Sequence, residues 1–113
     1  MRDVAIVSFA QAPNVRREAD RNEVEMLMPV VKEAVDASGI PRKAIDFTVS
    51  GSCDYVAGQP FAFVSGIDAV GPWPPINESH VEMDGAFALY EAWVKIQTGQ
   101  AESALVYAFG KAS

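Results

Sequence analysis

Hydrophobic and polar positions change period several times along the chain, and each change marks an element. Val4-Ala5-Ile6-Val7-Ser8-Phe9-Ala10 is a nearly continuous apolar run rich in β-branched residues. That is the pattern of a strand buried on both faces, and so of a parallel sheet. Gln11 to Arg21 is polar and irregular. Asn22 then caps a predicted helix with Glu23 and Glu25 in its first turn, apolar residues at Val24, Leu27, Met28, Val31, Ala34 and Val35, and Gly39 as its stop. Pro29 removes one hydrogen bond from that helix at about 3 kcal/mol, so a kink or a later start is expected. Ile45 to Ser50 reads as the second strand, and Gly51-Ser52-Cys53-Asp54 has loop composition at its carboxyl end. Phe61 to Val70 reads as a short helix, and Gly71-Pro72-Trp73-Pro74-Pro75 as an extended connection. Ile76 to Met83 is a third strand polar enough for a sheet edge. Gly85 to Gln97 is a helix apolar nearly all round, which predicts burial on all sides. Gly99 stops it, and Ala104 to Phe109 forms a fourth buried strand ending at Gly110. The expectation is an α/β fold with a mostly parallel sheet, βαβαβαβ order and a buried helix after the third strand.

That helix sets a requirement on the rest of the molecule. A sheet covers one side of Gly85 to Gln97, and 113 residues leave little to cover the other. A large uncovered apolar patch marks an interface or a missing layer. The chain is therefore expected to be the first part of a larger protein, or to work with another chain packed on it.

Composition narrows the class. With 9 Lys+Arg against 15 Asp+Glu the net charge is -6, which gives no general attraction to nucleic acid or anionic lipid. No apolar run approaches the length of a membrane span. A single cysteine and the absence of a signal-peptide pattern at the amino terminus predict a reducing, cytoplasmic setting. Cys53 and His80 stand alone without metal-ligand spacing, and no G-x-x-x-x-G-K phosphate loop occurs.

Glu82-Met83-Asp84-Gly85-Ala86-Phe87-Ala88, then Ile96-Gln97-Thr98-Gly99-Gln100-Ala101-Glu102 and Ala104-Leu105-Val106, resemble the amino-terminal half of the thiolase superfamily, closest to its sterol-carrier/lipid-transfer type. The resemblance implies a thiolase-like half-domain over residues 1–113, incomplete without a further segment or partner chain. It implies acyl transfer on coenzyme A thioesters of lipid or sterol side chains, with coenzyme A entering as substrate and no covalently bound cofactor. It also implies a homo-oligomer or a complementing thiolase-like segment, and it admits a small OB-fold partner. In that family a Cys-x-Ser-Gly elbow precedes the buried helix. Counting back from Gly99, Gly85 takes the elbow glycine, Asp84 the serine and Glu82 the nucleophilic cysteine. A cysteine there works because a helix amino terminus favours the thiolate that attacks the thioester. A carboxylate is a poor acyl acceptor, so condensation or thiolysis through an acyl-cysteine is not expected. Retro-aldol cleavage of a β-hydroxyacyl thioester needs no such nucleophile and is the alternative chemistry. A non-catalytic subunit of a thiolase-like complex is the alternative outside catalysis.

Glu82 and Asp84 are the candidate catalytic pair, as an acid/base couple. The commoner role for Asp84 is an N-cap, and for Glu82 a surface or subunit-contact carboxylate facing the helix dipole. Cys53 has no nearby cation in sequence to activate it and reads as an inert loop thiol. His80, on the edge strand, reads as a dimer-contact or solvated residue, with proton carrier as the alternative. Trp73 reads as an apolar plug at a subunit contact, or as a pocket wall.

Overall fold

The computed structural model describes residues 1–13, 20–57, 61, 64–70 and 77–109. The expected extended connection 71–75 with Trp73, and Gly110, lie outside them, as do parts of the irregular 11–21 segment, of the 61–70 helix and of the third strand's start.

Helix α1, Glu23–Ser38, forms where its local signals put it. Asn22 Oδ1 accepts from Glu25 N at 2.8 Å while Asn22 N donates back to Glu25 Oε1 at 3.3 Å, a reciprocal capping box. Gly39 closes the helix at φ 72°, a left-handed conformation that costs glycine little. Pro29 neither delays nor ends the helix. Pro29 and Glu25, whose carbonyl loses its donor, are both solvent-exposed, so water can serve that carbonyl. A 3-10 turn at Arg42–Ala44 leads into β1, Phe47–Ser52. Then come α2 (Asp54–Ala57), α3 (Val64–Val70), β2 (Glu78–Glu82), α4 (Gly85–Gln97) and β3 (Ala104–Ala108).

The three strands form one parallel sheet in the order β2-β1-β3, with β2 at an edge as its polarity predicted. β1 is buried along its whole length. Side chains alternate across a strand, and here the alternation separates two chemistries. Phe47 and Val49 point to one face, where they pack with Ala88 and Ala92 of α4 and with Ala101, Val81, Ala104 and Val106. Thr48, Ser50 and Ser52 point to the other face, all buried. There β3 contributes Leu105 and Tyr107, which pack against Leu27, Val31 and Val35 of α1 and Ala69 and Val70 of α3. Helices thus cover both faces of a small α/β sheet.

Ala104–Ala108, expected as a buried strand, is the other edge of this sheet, and only Tyr107 in it is buried. Two further expectations fail. The strand expected at Val4 to Ala10 does not form, so the βαβαβαβ order lacks its first member. Strand propensity has no effect without a ladder partner. Instead Arg2 N and O bond to the Gln97 side chain at 2.9 and 2.6 Å, Arg2 Nη1 reaches Ile96 O at 2.8 Å, and Ser8 Oγ reaches Ala34 O at 2.7 Å. The segment is tied to the ends of α4 and α1 with Ile6, Val7 and Phe9 exposed. Second, α4 is not buried on all sides. Ala88 and Ala92 lie on the sheet, whereas Phe87, Leu89 and Tyr90 are 51%, 47% and 64% exposed. A three-stranded sheet can cover only one stripe of a helix, so the apolar residues of the opposite stripe face outward.

Candidate functional site

The candidate residues gather at the carboxyl ends of β1 and β2. From β1 the chain passes through α2 and α3, and α3 packs on the Tyr107 face; from β2 it passes through α4 on the Val49 face. Ser52, Cys53 and Asp54 stand at the end of β1, and Glu82, Met83 and Asp84 at the end of β2.

Gly51 and Asp84 show how closely the two ends meet. A Cβ at Gly51 would lie 2.8 Å from Gly85 N and closer still to the Asp84 carbonyl. Only glycine lets the start of α4 approach β1 so tightly. Asp84 itself caps α4, its Oδ1 accepting from Ala86 N at 3.0 Å and Phe87 N at 3.2 Å. Glu82 is turned elsewhere: Oε1 accepts from Asp54 N, and Oε2 pairs with His80 Nε2 at 3.0 Å. The two candidate carboxylates are therefore neighbours in sequence that serve different partners.

His80 extends the constellation inward. Its Nδ1 lies 3.3 Å from Ser50 Oγ, and Ser50 is in register with both His80 on β2 and Tyr107 on β3. Burial pushes the Tyr107 phenol above its ordinary value of 10.0, opposed by the neighbouring Ser50 hydroxyl, raised further by Glu78 and lowered by Arg42. The row Tyr107–Ser50–His80–Glu82 thus crosses all three strands. It runs from buried to accessible: Tyr107 and Ser50 are 9% and 2% exposed, and the His80 and Glu82 side chains 18% and 47%. A cavity of about 220 Å³ adjoins it, lined by Ser50, Ile67, Glu78, Ser79, His80 and Tyr107. One row further along, Ser52 Oγ is buried with no hydrogen-bond partner among the described residues. Cys53 is half-buried and free.

Sequence reading singled out Glu82, Asp84, His80 and Cys53 and missed Ser50 and Tyr107. The signal available for Ser50 was the alternation Thr48-x-Ser50-x-Ser52 against Glu78-x-His80-x-Glu82, two strands polar at every second position. Among the described residues no group of His, Cys, Asp and Glu side chains could hold a metal ion, and no helix is long and apolar enough to cross a membrane.

The site belongs to a small parallel α/β sheet with a carboxylate–imidazole–hydroxyl row at its open end. Compared with known proteins, the chain matches no family model, no curated protein and no solved structure.

Proposed function

We propose that the chain acts on coenzyme A thioesters of lipid or sterol side chains as a thiolase-superfamily protein of the lipid-transfer type, and that its reaction is retro-aldol cleavage of a β-hydroxyacyl thioester. The observation that carries the reading is the Glu82–His80 pair. Where the resemblance calls for a thiol, Glu82 presents a carboxylate at the end of β2, 47% exposed and held by Asp54 N and His80 Nε2. Each carboxylate oxygen keeps a lone pair beyond these bonds, so the group suits proton transfer better than acyl capture.

In the proposed step Glu82 takes the proton of the substrate's β-hydroxyl as the carbonyl forms. The Cα–Cβ bonding pair moves onto the α-carbon and into the thioester carbonyl as an enolate. Return of a proton to that carbon releases the shortened acyl thioester beside the ketone or aldehyde. No redox partner is required.

The test supplies β-hydroxyacyl-CoA substrates to the protein and follows both products by mass spectrometry. Glu82→Gln keeps the shape and loses the base, and kcat should fall about 100-fold or more. Cleavage undiminished in Glu82→Gln, or a stoichiometric acyl adduct on Cys53 or Glu82, would reverse the reading in favour of acyl transfer or another site.

A further inference from the structure

We infer that Ser50 is a positioning residue that holds His80 in a single tautomer and orientation behind Glu82. The role of Glu82 here rests on the reading just proposed; the tautomer claim stands on geometry alone.

The direction of each hydrogen bond follows from what its partners can do. A carboxylate only accepts, so the 3.0 Å contact to Glu82 Oε2 puts the proton on His80 Nε2. In the neutral ring Nδ1 is then an acceptor, and at 3.3 Å Ser50 supplies the hydroxyl proton. Both donors in this pair of contacts therefore point toward Glu82. Among the described residues, the charged or titratable groups facing the ring are Glu78 and Glu82 on its own strand and Tyr107 on β3, with Asp54 behind Glu82 and the apolar Ile67 contributed by α3.

Ser50 is not itself a nucleophile in this arrangement. It is 2% exposed and lies inside the central strand, with ladders on both sides. Its oxygen can fix a neighbour but cannot meet a bulky thioester. The histidine it fixes is adjacent to a carboxylate that can. Without Ser50 the ring loses its contact at Nδ1 and has a cavity of about 220 Å³ beside it, which loosens its hold on Glu82.

The chain has one histidine, so long-range 15N–1H spectra of the protein report His80 without assignment. At a pH where the ring is neutral, the expected spectrum shows a protonated Nε2 and an unprotonated Nδ1. Ser50→Ala should turn this into a mixture of tautomers, and Ser50→Thr, which keeps the hydroxyl, should restore the single form. In the cleavage assay Ser50→Ala should lower kcat about 10- to 100-fold, the range expected for a misplaced reacting group, with KM unchanged and Ser50→Thr close to the parent. A protonated Nδ1 in the parent protein, or a pure Nε2–H form persisting in Ser50→Ala, overturns the inference. If the parent protein cleaves no β-hydroxyacyl thioester, the proposed function falls while the spectra still decide the positioning role.

Discussion

Gly51→Ala is the most direct perturbation of the junction between β1 and α4, because one methyl group would press on the backbone of the turn that starts α4. The new Cβ would lie 2.8 Å from Gly85 N and nearer to the Asp84 carbonyl, whereas ordinary contact begins near 3.4 Å. Neither obstacle is a flexible side chain, so α4 must retreat by more than half an ångström. Overpacking of this kind costs about 1–3 kcal/mol. Moving the Asp84 turn also weakens the cap that serves Ala86 N and Phe87 N, worth about 1 kcal/mol. Together they amount to about 2–4 kcal/mol, a large share of the roughly 5–15 kcal/mol typical of a domain. With a urea m-value of about 2 kcal/mol/M, the unfolding midpoint should fall by roughly 1–2 M. Far-UV circular dichroism and tryptophan fluorescence follow the transition, Trp93 reporting from α4 itself. Part of the cost passes through the cap, so Gly51→Ala should be less damaging by up to about 1 kcal/mol in an Asp84→Ala background. A midpoint within about 0.2 M of the parent, well inside the predicted shift, would show that β1 and the start of α4 do not meet as described.

Two further outcomes follow from single residues. Asp84→Ala removes the acceptor for two helix N–H groups and should destabilise by about 1 kcal/mol, while Asp84→Ser keeps most of that energy; equal urea midpoints for Ala and the parent would refute the capping role. Tyr107 has its phenol raised above 10.0, burial being the main cause, so the native state holds that proton more tightly than the unfolded chain. Its contribution is fully present below the unfolded value and is lost as pH rises through the native one. Urea midpoints between about pH 8 and 11 should therefore decline more steeply in the parent than in Tyr107→Phe; parallel declines would contradict the shift.

Local signals in the sequence carried the helices, and long-range partners decided the strands. Asn22, Glu25 and Gly39 define α1 because capping is settled within one turn, and α4 spans Gly85–Gln97 as its pattern predicts. β1 runs over Phe47–Ser52 instead of Ile45–Ser50. Gly51 and Ser52 have loop composition, yet Gly51 is in the strand because the start of α4 lies against it, a contact no local window contains. Val4 to Ala10 has the intrinsic marks of a strand but pairs with none; Ser8 bonds to Ala34 instead, and Arg2 before it to Gln97 and Ile96. Burial of α4 depended on how much surface the rest of the chain could supply, which its own composition does not encode.

The candidate site was legible to a different degree at each residue, and the differences bear on how firmly Glu82 stands. Motif spacing, counted from Gly99 back through α4, selected Glu82 with no reference to Ser50 or Tyr107. Strand register selects it by another route: Ser50 pairs with His80 and Tyr107, Ser52 pairs with Glu82, and the row ends at a carboxylate that reaches both Asp54 N and the imidazole. The energetic argument for that row is its location. A central parallel strand buried on both faces would ordinarily be apolar on both, and each buried hydroxyl left without a partner costs about 1–3 kcal/mol. β1 nevertheless carries Thr48, Ser50 and Ser52 on one face. Ser50 offsets its cost through His80, whereas Ser52, level with Glu82, has no such partner among the described residues. Polar groups kept in a core at that expense, and lined up in register toward an accessible carboxylate, fit a site that handles protons better than a face selected for stability.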